Sequence, residues 1–285
     1  MDEKARPLIC IPGIGGLGNC LYQLASAIHY AETYPNAQIV ALRSLNMMFG
    51  SAQASDRKQS LHDGYDKPIP YENTIFARIT FIDELPGPAI QFDNGYGHHH
   101  IPWDQTTHLH IINYQQHRDL FLAHFNKLSK YISVHNEIVL HGLVEKYGKG
   151  DPAYFQLCVC IGIRRGKDFE HMQKVTNASI NRAKHQHFSS QHALVISDLK
   201  TIVTLQPNDM PLDFEYTIVD EPDVVQMHMS RLCPNMILSE STFHTWIGYF
   251  IQDTFGETKT KIVCFNDTDI THRSLDLPNW IHIDP

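Results

Sequence analysis

The strongest constraint on the fold is a short apolar run, Cys158–Ile163, that ends in positive charge. Through Phe169 the sequence reads C-V-C-I-G-I-R-R-G-K-D-F. A brief, continuously apolar run bounded by a turn signal is the pattern of a strand buried on both faces, as at the centre of a parallel sheet. Stopping it at Arg164-Arg165-Gly166 delivers fixed charge to the rim of that sheet. In open α/β sheets, ligands bind beyond the carboxyl ends of the strands. The planar guanidinium fork suits phosphate and carboxylate groups. An anionic, phosphorylated ligand is therefore expected here.

The remaining chain supports an α/β reading. Leu8–Ile11 is a short apolar strand leading into the glycine-rich turn Pro12–Asn19. Leu21, Leu24, Ala25 and Ile28 then recur at helical spacing, and Gln38–Leu42 reads as a second strand. Strand, turn, helix, strand is the opening of a parallel-sheet domain. Phe76–Ile82 and Ala89–Phe92 are expected as peripheral strands and His108–Ile112 as another, followed by a long helical stretch over 118–147. Gly148–Pro152 combines glycine, charge and proline, so a boundary is expected there, giving domains 1–150 and 151–285. In the second half, a polar, mainly helical segment covers 177–192. Ala193–Ile196, Tyr216–Val219, Met236–Leu238 and Lys261–Phe265 read as strands, the last of them the final clear one. Helices are expected from Glu221-Pro222 and after Ser239–Phe243.

A length of 285 residues accommodates two such domains, and a net charge of −8 argues against general nucleic-acid binding. The six cysteines are scattered without zinc-type spacing, which implies reduced core thiols. No apolar run reaches the ~18 residues of a membrane span, and neither a transmembrane helix nor a secretory signal is expected. A cytoplasmic chain is expected, so the sequons at Asn177 and Asn266 carry no meaning.

Several clusters admit two readings. Gly13-x-Gly15-x-x-Gly18 fits a dinucleotide fingerprint, with Arg43 placed to receive a 2′-phosphate, or it is a turn that needs glycine for its backbone angles. The first reading makes the chain an NADP-dependent oxidoreductase. Ser241 and Thr242 either cap a helix or present a phosphate site at its N-terminus. Asp198 either accepts from a base or sugar edge or caps the segment after it. Asp267 and Asp269 could hold a divalent ion, but their neighbours favour a turn. His98–His100 read as a loop facing solvent or an acceptor more readily than as a metal site.

Taken in order, these motifs resemble the α1,2-fucosyltransferase family. Gly15–Ala25 is similar to its G-G-L-G-N-Q-L-F-Q-Y-A opening. Asn113–Gln116 with Asp119 and Phe121 is similar to G-Y-F-Q-S…Y-F, and Ile161–Asp168 to I-H-x-R-R-G-D. Val195–Asp198 resembles F-S-D-D. Cys233, Ser241, Thr242, Phe243, Trp246 and Tyr249 match its C…N-S-S-F-S-W-W-A-A-Y-L segment. The resemblance implies a GT-B fold, two Rossmann-like α/β domains facing across a cleft, with the acceptor on the first and GDP-fucose on the second. It implies inverting, metal-independent transfer of fucose to a sugar hydroxyl. Arg165 would hold the β-phosphate as the catalytic residue, with Arg164 beside it. Ser241, Thr242 and Phe243 would receive other phosphate oxygens, Gly18 and Asn19 would reach the pyrophosphate, and Asp198 would read the guanine or ribose. A non-catalytic GDP-sugar or glycan-binding module keeps the same residues. The chain departs from the pattern at Gly162, where the family has histidine, and at an inserted Lys167. It also departs at Cys20, Glu240, His244 and Thr245, the last two replacing serine and tryptophan.

Overall fold

The computed structural model describes residues 6–43, 71–93, 102–112, 118–133, 136–164, 175–197, 210–239, 241–266 and 276–285. These divide into two compact units, one from the described residues up to 133 and one from 136 onward.

In the first unit, β1 (Leu8–Ile11), β2 (Gln38–Leu42), β3 (Thr80–Ile82), β4 (Ala89–Asp93) and β5 (His108–Ile112) form a sheet in the order β3-β2-β1-β5-β4. Every pairing is parallel. The central strand β1 is buried at Ile9, Cys10 and Ile11. It feeds α1 (Leu17–Thr33), whose Leu21, Leu24, Ala25 and Ile28 are buried as their spacing predicts. Tyr22, Gln23 and Ala27 are buried as well, so α1 is enclosed beyond a single apolar face. Gly13 and Gly15 hold φ of 63° and 80° in the turn between β1 and α1, a region that glycine enters without the Cβ penalty.

The second unit is also a parallel sheet, ordered β11-β10-β9-β6-β7-β8. Its strands are β6 (Cys158–Ile163), β7 (His192–Ser197), β8 (Tyr216–Ile218), β9 (Asn235–Leu238), β10 (Lys261–Phe265) and β11 (Ile281–Ile283). All six residues of β6 are buried, as an apolar run in a central strand requires. Val159, Ile161 and Ile163 pack with Ile180, Phe188 and Val195 into the core. The chain leaves β6 for β7 and β8 on one side and returns as β9, β10 and β11 on the other, so the strand order reverses between β6 and β9.

Four expectations change. The strand expected over 76–82 begins only at Thr80. Residues 71–79 form turns that bury Tyr71, Ile75 and Phe76. The stretch over 118–147 is two helices, α2 (Arg118–Leu128) and α3 (Glu137–Tyr147), because Asn136 caps the second by accepting from the N–H groups of Ile138 and Val139. The helix α3 belongs to the second unit, so Gly148–Pro152 lies within that unit. It is a helix stop: Lys149 and Gly150 have φ of 56° and 76°, and the Asp151 side chain accepts from Ala153 N–H to start the next turn. Finally, β11 extends the sheet by three residues whose Ile-His-Ile sequence is too short to signal a strand. All six cysteines carry buried thiols rather than disulfides, as expected. Burial pushes the Cys233 thiol up to about 12 and Cys158 to about 11, which keeps both protonated. Among the described residues, no helix is long and apolar enough to cross a membrane.

Candidate functional site

The reversal of strand order between β6 and β9 opens a crevice beyond their carboxyl ends, the place where an α/β sheet takes its ligand. The two strands are tied together there. Ser239 N–H donates to Gly162 O at 3.1 Å, and Arg164 N–H donates to Ser239 Oγ at 3.0 Å. Ser239 Oγ lies 3.4 Å from His244 Nδ1. A hydroxyl that accepts from Arg164 N–H has its own proton available for the imidazole, which makes Nδ1 the acceptor. The end of β6 is thus fixed through one buried serine and one buried histidine from the helix that follows β9.

The helix after β9 is α6 (Thr242–Phe255); before it in the second unit come α4 (Asn177–Phe188) and the short α5 (Asp223–Met227). Ser241 occupies the N-cap position of α6 in an extended conformation, but its side chain makes no capping hydrogen bond. Only its carbonyl works for the helix, accepting from Thr245 N–H at 3.0 Å and Thr245 Oγ1 at 3.1 Å. Capping by the Ser241 hydroxyl, one of the two readings open from sequence, therefore fails. Thr242 and Phe243 begin the helix, at the positive end of its dipole, which favours an anion.

The imidazole of His244 is held neutral. Burial pushes its pKa down to about 3, and the positive charge of Arg164 adds to the effect. His244 therefore carries no charge at neutral pH.

In the first unit, Gly18 and Asn19 lie in the first turn of α1, with Gly18 buried and Asn19 half-buried. The turn before them is braced by Gln23 Nε2, which donates to Ile14 O at 3.1 Å. Arg43 does not await a 2′-phosphate. Its Nε donates to Glu72 and its Nη1 to Asp83, each at 3.0 Å, and those two carboxylates raise its pKa and supply the counter-charge. The oxidoreductase reading loses its phosphate receptor, and the positive φ of Gly13 and Gly15 supports the backbone-turn reading of the glycine motif.

Arg165, Asp198, Glu240, Lys167, His98–His100, Asp267 and Asp269 lie outside the described residues. Asp198 follows directly on Ser197, the last residue of β7, which is in register with Ile163 of β6. Of the expected donor residues, the structure brings Arg164 together with the Ser239–Phe243 segment on one rim.

No model of a known protein family matches the sequence, and no curated protein matches it. Solved structures do. The α1,6-fucosyltransferase NodZ, in a crystal soaked with GDP-fucose, aligns with a TM-score of 0.51 and 13% identity over 94% of this chain and 96% of that one. A glycosyltransferase family 9 protein from Veillonella parvula aligns with a TM-score of 0.50 and 8% identity over 98% of this chain and 86% of that one. The fold is that of GT-B glycosyltransferases. The β6–β9 crevice is the switch point of the second GT-B sheet.

Sequence reasoning missed Ser239 and His244 as the groups that set the end of β6. The signal was present: Gly162 lacks the histidine of the resembled motif, and His244 supplies one where that motif has serine.

Proposed function

We propose that this chain is a glycosyltransferase that moves fucose from GDP-fucose to a hydroxyl of a glycan acceptor. The observation that carries the reading is the β6–β9 switch point of a GT-B fold, where Arg164 at the strand end is bonded to Ser239 ahead of α6, and where the Ser241 hydroxyl is not spent on capping. A departing GDP gains negative charge, and preorganised donors aimed at that charge stabilise the transition state. Arg165 is assigned to the β-phosphate as the catalytic residue. Arg164, Ser241, Thr242 and the N–H groups near Phe243 are assigned to the remaining phosphate oxygens. Asp198 is assigned to the guanine or ribose, and Gly18 and Asn19 are the first unit's contribution. The second unit is the donor half and the first the acceptor half.

The fold shared with NodZ supports a GDP-fucose donor, because that protein was soaked with GDP-fucose. The finer reading, an α1,2 link formed with inversion and without a metal ion, rests on the motif resemblance. The test combines two measurements. GDP should raise the melting temperature of the chain and NADPH should not. GDP-fucose with an array of glycan acceptors should then give a fucosylated product whose linkage is mapped, with turnover unchanged by a chelator. A shift with NADPH alone rejects the proposal. GDP binding without product on any acceptor makes the chain a GDP-sugar-binding module, and an α1,6 product overturns the linkage.

A further inference from the structure

At the β10–β11 edge of the second sheet, three different kinds of metal ligand converge. Cys264 on β10 and His282 on β11 are direct register partners in parallel strands, so their side chains leave the same face of the sheet. Cys264 Sγ lies 3.4 Å from His282 Nδ1. Asp276, on the segment leading into β11, brings a carboxylate to the same point, and the three donor atoms all lie within 4.8 Å of one another. Cys264 is buried, Asp276 half-buried and His282 exposed, so the cluster is closed on the sulfur side and open to solvent on the imidazole side.

The sulfur–imidazole separation matches that of two ligands on one ion. Bonds of about 2.3 Å to sulfur and 2.0–2.1 Å to nitrogen, meeting at a tetrahedral angle, place those two donors about 3.5 Å apart. A thiol hydrogen-bonded to the imidazole and to the Asp276 carboxylate would also account for this grouping, and the cobalt titration separates the two. The other ring nitrogen, Nε2, lies 3.4 Å from Leu277 O. A proton held there turns the Nδ1 lone pair toward the sulfur, the outer-shell arrangement that orients ligating histidines. The frame is fixed: Trp280 N–H donates to Leu277 O at 3.0 Å and its indole Nε1–H to Gln252 Oε1 at 2.9 Å. Beyond β11, Asn266 Nδ2 donates to Asp284 Oδ1 at 2.9 Å.

We propose that Cys264, Asp276 and His282 bind a divalent transition-metal ion of the zinc–cobalt class, with water in the remaining position. A mixed sulfur, nitrogen and oxygen set suits such an ion and not calcium or magnesium, which take oxygen donors. On binding, the Cys264 thiol releases its proton to solvent and its sulfur bonds the ion, while the Asp276 carboxylate rotates onto it. One thiolate and one carboxylate cancel the double charge, so the complex against the buried sulfur is neutral and avoids the cost of an uncompensated buried charge. The site ties the last strand to the sheet. It lies outside the β6–β9 crevice and stands whether or not the chain transfers fucose.

The test uses the full chain, reduced and stripped of metal, titrated with cobalt(II) alone. A near-ultraviolet thiolate-to-cobalt absorption should appear and saturate at one ion per chain. It should vanish in Cys264→Ser, and His282→Ala should weaken binding at least about tenfold, no less than the loss of an outer-shell partner costs. Excess zinc should erase the band and raise the melting temperature of the parent chain more than that of His282→Ala. His282 is exposed, so that variant keeps its fold even if Cys264→Ser does not. Absence of the band, a band that persists at full strength in His282→Ala, or an equal zinc shift in that variant overturns the proposal.

Discussion

The imidazole of His244 fills the space that a side chain at Gly162 would need: a Cβ built on Gly162 would lie 2.6 Å from the ring. The two departures from the resembled motif are therefore one. Where that motif has a histidine on the strand and a serine on the helix, this chain has a glycine on the strand and a histidine on the helix. The imidazole stays beside Arg164, but it is delivered by α6 and anchored through Ser239.

Exchanging the pair tests this coupling. Gly162→His should lower stability by at least about 1–3 kcal/mol, the usual cost of overpacking a core. His244→Ser should also destabilise, through the cavity it leaves. The double variant Gly162→His/His244→Ser should recover much of the loss, with a coupling of at least about 0.5 kcal/mol in urea denaturation. Strict additivity of the two single changes would show that the residues do not share the space.

Acid should destabilise the protein through His244. Burial holds its folded pKa at about 3, against about 6.5 for an imidazole in water. Above the unfolded value both states hold a neutral ring, and the group has no effect on stability. As pH falls below it, the unfolded state takes up a proton that the folded state refuses, so stability drops with decreasing pH down to the folded value. The slope approaches about 1.4 kcal/mol per pH unit for a single proton. Denaturation midpoints measured from pH 7 to 4 should fall less steeply in His244→Gln; parallel curves would count against a buried neutral imidazole.

Gly248 offers a change of sign. It sits inside α6, where alanine normally gains about 1 kcal/mol over glycine. A Cβ at Gly248, however, would meet the Trp280 ring at 2.9 Å, and that ring is held by its bond to Gln252. Gly248→Ala should therefore destabilise, read as a lower melting temperature. A gain would mean that Trp280 gives way.

What was legible in the sequence follows the reach of its signals. Apolar runs such as Cys158–Ile163 and Lys261–Phe265 became strands with the expected bounds, because burial in a parallel sheet demands that composition. The three residues of β11 carry no such run, and their strand exists only because β10 offers a parallel edge. Gly148–Pro152 reads as a linker because a helix stop and a linker use the same residues; only contacts separate them, as the packing of Phe155 against Gly148 does here. Charge at the end of β6 was legible, but what fixes it was not, since Ser239 and His244 reach it from distant sequence. The Cys264, Asp276 and His282 cluster was hidden for the same reason: strand register pairs Cys264 with His282, and the segment before β11 brings Asp276 to them.

Ser241 separates binding from folding most directly. A serine that caps a helix with its side chain costs about 0.5–2 kcal/mol when replaced by alanine. Here the hydroxyl makes no cap bond, while the carbonyl that does serve the helix survives substitution. Ser241→Ala should therefore leave the melting temperature nearly unchanged. If the hydroxyl receives a phosphate oxygen, the same variant should lose GDP affinity by about five- to tenfold, the equivalent of a hydrogen bond of about 1–1.5 kcal/mol. Calorimetric titration with GDP beside a thermal melt reads both quantities on one sample. Lost stability with intact GDP binding would return Ser241 to the role of an ordinary cap and remove it from the donor site.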